Sequence, residues 1–193
     1  MLVVLFVSLY SVNAGQGTFN PNALVLESAY AGLRGEIALP LQSGLCLAMV
    51  RIIIENAFDL ESNEWYHIWR TYVVPRGPDE NHDPWARDME ASLRNAGMEV
   101  ALPRAGGPKG DETRYVVLLE DLLKPGDLLF RWDSPQRPGH VGILMPGNTV
   151  LENVRRDYRP VGLWRGAIAL TPLGSWPVTT VIRFDPRIPP APR

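Results

Sequence analysis

The sequence has very little cysteine and no clustered positive charge. Its 193 residues include one cysteine, Cys46, so no intramolecular disulfide can form and the fold must depend on its buried core. Lysine and arginine together number 19 against 21 acidic residues, and no basic run occurs, which argues against a nucleic-acid-binding surface. This length and composition predict one globular domain.

The sequence also has no apolar run long enough to cross a membrane. The N-terminal run, residues 2–10, is almost all apolar but too short to span a bilayer as a helix. Residues 12–14 resemble a signal-peptide cleavage site, although no positive charges precede the apolar run. Residues 1–17 are therefore interpreted either as a signal peptide or as a buried N-terminal extension. The predicted domain covers 18–187, and a proline-rich tail covers 188–193.

Helical patterns come first along the chain and strand patterns follow. Helices are predicted over 22–34, from Cys46 onward, over 85–96 and over 115–123. Strands are predicted over 128–132, over the two arms of 139–153, over 167–173 and over 178–184. Such an order is typical of an α+β fold, with helices packed on an antiparallel sheet.

Cys46 is predicted to lie in the first turn of a helix that is apolar on nearly all sides. Ser43 or Gly44 is the expected cap of this helix. The unpaired N–H groups and the dipole at a helix start lower the pKa of a thiol, and they can also stabilise an oxyanion. A lone cysteine is more often a small buried hydrophobe, so this position alone does not establish a nucleophile.

Residues 139–153, GHVGILMPGNTVLEN, read as a hairpin with polar residues at both ends. His140 starts the first arm, and a histidine there can exchange a proton with a thiol near neutral pH. The hairpin register decides which side chain orients the imidazole. A three-residue turn places Glu152 on the face of His140, whereas a two-residue turn places Asn153 there.

Three stretches together resemble the NlpC and CHAP families of papain-like cysteine peptidases. They are SGLCLAMVRIIIENAF around Cys46, PGDLLF at 125–130 and GHVGILMPGN from residue 139. The segment VIRF, at 181–184, is similar to the end of the last strand in that family. The resemblance covers most of residues 22–184.

This resemblance implies a papain-like fold, with N-terminal helices packed on a C-terminal half-barrel. It also implies hydrolysis of amide bonds in bacterial cell-wall peptidoglycan through a thioester. Cys46 would be the nucleophile and His140 the base and then the acid. Glu152 or Asn153 would orient the histidine, and the longer turn and the family spacing both favour Glu152. The backbone N–H of Cys46 would contribute to the oxyanion hole.

The resemblance implies no metal and no cofactor. His67, His82 and Asp83 lie in a predicted loop without recognised ligand spacing. The expected partner is a peptidoglycan stem peptide or a related peptide, bound by a monomer. The expected location is outside the cell or in the cell envelope, with the cytoplasm as the alternative if the N-terminal segment is not a signal peptide.

Some features depart from the family pattern. Ser-Gly precedes Cys46 instead of the usual Asp, the third polar residue is not the common His, and residues 59–84 read as an insertion. A non-catalytic binding domain, or a structural or phage-assembly domain on the same scaffold, is therefore kept as the alternative function.

Three further residues are candidates for substrate binding. Gln42 is interpreted either as a second oxyanion donor or as an ordinary loop residue. Trp65 and Trp85 are predicted either to line a groove for substrate or to belong to the core of the insertion.

Overall fold

A computed structural model describes residues 20–62, 64–65, 86–100, 122–131, 139–154, 163–176 and 178–184. Within these ranges the chain forms three helices and an antiparallel sheet, so the predicted α+β class is confirmed. The N-terminal segment 1–17 and the tail 188–193 lie outside the described residues, as do nearly all of the predicted helix 115–123 and most of the insertion 59–84.

The helices are α1, Pro21–Arg34; α2, Cys46–Ala57; and α3, Ala86–Asn95. Helix α1 ends at Gly35, whose φ of 80° is the left-handed value that glycine adopts without strain. Its N-cap is Asn20, two residues before the predicted start of the helix at residue 22. In the described part of the chain, no helix is both long and apolar enough to cross a membrane.

The sheet has the strand order β4-β5-β3-β2-β1-β6, with every neighbouring pair antiparallel. The strands are β1, Leu128–Arg131; β2, His140–Met145; β3, Thr149–Asn153; β4, Leu163–Arg165; β5, Ile168–Pro172; and β6, Thr180–Ile182. Five of these six strands lie in regions predicted as strands or as hairpin arms, and the exception is β4, which the sequence pattern did not indicate. The hairpin strands β2 and β3 lie in the middle of the sheet.

The turn between β2 and β3 determines the register of the hairpin. Met145 pairs with Thr149, so the turn contains the three residues between them. Two of these, Gly147 and Asn148, have φ of 78° and 54°, which Gly and Asn adopt more readily than other residues. The three-residue turn is confirmed, and it places Glu152 on the same face of the sheet as His140.

Both faces of β2 are buried, each in its own apolar cluster. The face carrying Val141 and Ile143 packs with α2 in the larger cluster, as the alternation predicts. The opposite face packs in a smaller cluster that contains Leu144 and Trp176. A short 3-10 helix, Leu173–Ser175, leads directly to Trp176. The histidine-bearing face of the sheet is therefore also enclosed by apolar residues.

A buried carboxylate joins α1 to the segment that directly follows β6. Asp127 is fully buried and accepts hydrogen bonds from Arg183 Nε at 2.8 Å and Nη2 at 2.6 Å. It also accepts one from Asn22 Nδ2 at 2.9 Å. Gly126 precedes it with a φ of 92°, and a Cβ there would lie 2.5 Å from the carbonyl oxygen of Asn22. The PGD and VIRF segments are thus parts of one structural contact.

Candidate active site

Cys46 is the first residue of α2 and a free, buried thiol with 9% of its surface exposed. The N-cap is Leu45, and no side chain caps the helix from this position. The expectation that Ser43 or Gly44 caps it is therefore wrong. Because the first N–H groups of an α-helix have no partner within the helix, those at the start of α2 are available to an anion.

The thiol of Cys46 lies where the start of α2 meets the start of β2. It forms a hydrogen bond with the side chain of His140, and it accepts hydrogen bonds from the backbone N–H groups of Val141 and Leu47. Val141 belongs to the strand and Leu47 to the helix, so both elements hold the sulfur. The structure thus brings together the two side chains that the sequence predicts as nucleophile and base.

The pKa of the Cys46 thiol is lowered from its ordinary value of 9.0. Burial is the largest single influence and acts to raise the pKa, because a thiolate loses hydration inside the protein. The hydrogen bond and the charge of His140, together with the two backbone N–H groups, outweigh burial. The site therefore favours the thiolate, which is the nucleophilic form.

His140 is hydrogen-bonded on both sides. Its Nε2 lies 2.7 Å from Oε2 of Glu152, and both side chains are buried, with 4% and 0% of their surfaces exposed. Since Nε2 is occupied by Glu152, the hydrogen bond to Cys46 uses the remaining ring nitrogen, Nδ1. The imidazole is thus held between a thiol and a carboxylate, the order that a nucleophile, its base and an orienting group require.

The pKa of His140 is raised from 6.5 to about 9. Burial is again the largest influence and acts to lower the pKa, but the hydrogen bonds and charges of Cys46 and Glu152 outweigh it. A lowered thiol pKa beside a raised imidazole pKa shifts the pair toward thiolate and imidazolium. In this pair the sulfur is ready to attack and the histidine already carries the proton that a leaving group needs.

Three other side chains surround the carboxylate of Glu152. Thr171 donates a hydrogen bond to Oε1, and Trp176 Nε1 donates one to Oε2 at 3.1 Å. Burial, the largest influence, raises the pKa of Glu152, whereas the hydrogen bonds from His140 and Thr171 and the charges of His140 and Arg131 lower it overall. The carboxylate therefore stays ionised although it is fully buried.

Arg131 and Trp176 link these groups on the histidine-bearing face. Arg131 lies directly opposite His140 in the β1–β2 register, and its guanidinium lies 5.3 Å from the centroid of the Trp176 ring. The Trp176 ring is 5.7 Å from that of His140. Neither residue was among the predicted site residues, and neither was Thr171.

Asn153 has a different role from the one predicted for it. Its Oδ1 accepts a hydrogen bond from the backbone N–H of Leu45 at 2.9 Å. Its Nδ2 donates to the carbonyl oxygens of Pro40 and Gln42, both at 2.9 Å. Of the two alternatives for orienting His140, Glu152 makes that hydrogen bond, while Asn153 holds the loop that precedes the cysteine.

The three candidate substrate-binding residues do not form one surface in the described structure. Gln42 is exposed, and its backbone carbonyl is the group bound by Asn153. Trp65 is fully buried, with its ring 5.8 Å from that of Phe184 in an edge-to-face contact. Trp65 is thus a core residue, which is one of the two roles that the sequence analysis left open for it. Trp85 lies outside the described residues.

Metal-binding side chains do not cluster in the described parts of the chain, where no group of three or more His, Cys, Asp or Glu residues is arranged to hold an ion. His67, His82 and Asp83 lie outside the described residues. Comparison of the chain with protein-family models, with curated proteins and with solved structures finds no match.

Proposed function

We propose that this protein is a papain-like cysteine hydrolase of the NlpC and CHAP type that cleaves amide bonds in bacterial cell-wall peptidoglycan. The observation that carries the proposal is the buried hydrogen-bonded series from Cys46 through His140 to Glu152. A thiol at a helix start, an imidazole and a buried carboxylate in this order are suited to acyl transfer.

In the first half of the proposed reaction, the thiolate of Cys46 attacks the carbonyl carbon of the substrate amide and a C–S bond forms. The oxygen becomes an oxyanion, for which the unpaired N–H groups at the start of α2, including that of Cys46, are suitable donors. When the C–N bond breaks, protonated His140 gives its proton to the leaving amine. A thioester and a neutral imidazole remain.

In the second half, water attacks the thioester carbon while neutral His140 takes a proton from it. The intermediate collapses, the C–S bond breaks and the sulfur leaves as a thiolate. The product is a carboxylic acid, and the thiolate–imidazolium pair is restored. Throughout the cycle, the hydrogen bond that His140 Nε2 donates to Glu152 keeps the ring orientation fixed, and the carboxylate stabilises the positive form of the ring.

The papain-like fold is the structural part of this proposal. Helix α2, which carries the cysteine, packs on the strands that carry the histidine and the carboxylate, and both strands belong to one antiparallel sheet. The contact between Asp127 and Arg183 supports it further, because it joins two segments on which the family resemblance rests. The choice of peptidoglycan as substrate rests on that resemblance.

The decisive experiment uses purified sacculi and a defined muropeptide, with products identified by mass spectrometry. Wild-type protein is expected to release peptides or free amines, and Cys46→Ala is expected to release none while keeping its circular dichroism spectrum. Cleavage by Cys46→Ala would exclude the thiol mechanism. Binding to sacculi without any product from the wild type would favour the non-catalytic scaffold instead.

The location and the oligomeric state are also part of the proposal. Peptidoglycan lies outside the cytoplasmic membrane, so we expect the protein to be secreted or held in the cell envelope as a monomer. N-terminal sequencing of the protein recovered from cell fractions tests whether residues 1–17 are removed. Light scattering of the purified protein tests the monomer.

A further inference from the structure

We propose that Asn153 is a positioning residue for the nucleophile, because its side-chain amide binds the loop that leads into the start of α2. This inference rests on the proposed function and adds to it a residue that does not touch the reacting atoms. The segment that needs such support is the turn before Cys46, where Gly44 has a φ of 85°.

The three hydrogen bonds of Asn153 fix the loop at three separate points. One holds the N–H of Leu45, the residue bonded directly to Cys46, and the others hold the carbonyls of Pro40 and Gln42. Both N–H groups of the amide are used and its oxygen accepts one bond. The Asn153 side chain is itself fully buried, so its amide depends on these three partners for its hydrogen bonds.

The chemistry of the three partners requires a primary amide. A backbone N–H can only donate, and a backbone carbonyl can only accept, so the orientation of the Asn153 amide follows from its neighbours. A carboxylate could accept from Leu45 but would place its second oxygen against two carbonyl oxygens. An apolar side chain would leave all three backbone groups without this partner.

Neighbouring residues of β3 thereby position the two halves of the catalytic pair. Glu152 lies on one face of the strand and orients His140, while Asn153 lies on the other face and holds the loop before Cys46. A second contact follows immediately, since the N–H of Gly44 donates to the carbonyl of Val154 at 3.3 Å. The end of β3 thus sets the distance between the sulfur and the imidazole.

The test measures the apparent pKa of Cys46 from the pH dependence of its alkylation by iodoacetamide, which requires no knowledge of the natural substrate. In Asn153→Ala the loop is released, and we expect the apparent pKa to rise toward 9.0. At neutral pH the alkylation rate should fall on the order of tenfold, because less thiolate is present. Asn153→Ser, with a hydroxyl too short for all three bonds, should show a smaller change in the same direction.

Asn22→Ala is the matched control, because it removes another buried amide whose Nδ2 donates to Asp127 and to the carbonyl of Pro125. It should lower the melting temperature and leave the alkylation profile unchanged. An Asn153→Ala or Asn153→Ser protein that is folded and has the wild-type alkylation profile would overturn the inference. If Asn153→Ala does not fold, Asn153→Ser decides the question by the same measurement.

The outcome is separable from that of the proposed function. If wild-type protein releases nothing from sacculi but Asn153→Ser still raises the thiol pKa, the positioning role stands and the hydrolase proposal fails. If wild-type protein cleaves muropeptide and Asn153→Ser leaves both kcat and the alkylation profile unchanged, the hydrolase proposal stands and Asn153 only stabilises the fold. An ordinary thiol pKa in the wild type would contradict both proposals.

Discussion

Glu152 and His140 form a hydrogen bond of 2.7 Å although neither side chain has more than 4% of its surface exposed. A buried carboxylate without partners would be protonated or would destabilise the fold. Here Oε2 accepts from both His140 and Trp176, and Oε1 accepts from Thr171. The charge of Glu152 is thus maintained by the same contacts that fix the orientation of the imidazole.

Replacing Glu152 by glutamine should reduce activity while keeping the shape of the side chain. Three side chains, those of His140, Thr171 and Trp176, now donate to the carboxylate. The amide of glutamine has an NH₂ group in place of one oxygen, so at least one donor loses its acceptor. His140 also loses the negative charge beside it. We expect kcat/KM to fall by roughly 10²-fold or more, which is the usual contribution of general acid–base catalysis. Steady-state assays on muropeptide measure this fall, and a variant with wild-type kcat/KM would contradict the orienting role of Glu152.

The contribution of His140 to stability should fall as the pH becomes alkaline, and a Cys46→Ala background isolates it, because the lowered pKa of the thiol has the opposite effect. Folding raises the pKa of His140 from 6.5 to about 9, so the folded state binds this proton more tightly than the unfolded chain. The resulting stabilisation is complete below pH 6.5 and is lost as the pH rises through about 9. Urea unfolding of Cys46→Ala and of the double variant Cys46→Ala/His140→Gln at pH 6 to 10 provides the measurement. Equal pH slopes for the two proteins would show that His140 is not the group responsible.

Replacing Trp176 by phenylalanine should affect both stability and the ionisation of Glu152. Phenylalanine keeps a ring beneath Arg131 but has no N–H for Oε2 of Glu152. The lost hydrogen bond and the smaller ring should lower the free energy of unfolding by about 1–3 kcal/mol. The acid limb of the pH–rate profile should move to higher pH, because the carboxylate has one donor fewer. Leu144→Val, in the same cluster, is the control that lowers stability without moving this limb.

Replacing Asp127 by asparagine should destabilise the fold without changing the chemistry of the site. Asp127 accepts hydrogen bonds from Arg183, Asn22 and the backbone N–H of Lys124, and the neutral amide cannot accept them all. We expect a loss of roughly 2–4 kcal/mol in the free energy of unfolding. Chemical denaturation measures this loss. Alkylation of Cys46 should keep its wild-type pH profile, and a shifted profile would show that the contact also positions the thiol.

The sequence was sufficient to predict those parts of the site that depend on local patterns. The alternation of β2, the turn residues Gly147 and Asn148, and the twelve-residue separation of His140 from Glu152 all belong to one hairpin. The position of Cys46 at a helix start likewise follows from the boundary of an apolar segment. Short-range geometry, taken together with the family resemblance, therefore pointed to the three side chains of the proposed catalytic series.

The remaining contacts depend on how distant segments pack, and periodicity carries no information about that. Arg131 enters the site because β1 pairs with β2, and Thr171 because β5 pairs with β3. Trp176 directly follows the 3-10 helix after β5, and no alternation pattern in the sequence indicates this short helix. The capping of α2 was mispredicted for the same reason, since the supporting group, Asn153, is remote in sequence from Leu45.

The separation between Leu45 and Asn153 has a consequence for the order of events during folding. These residues are 108 positions apart, whereas His140 and Glu152 are 12 apart. Because closing a short loop is faster than closing a long one, the hairpin can form before α2 reaches the sheet. Until that docking is complete, Cys46 is an ordinary thiol without a base. A newly made chain therefore gains its reactive sulfur only when the whole domain has folded.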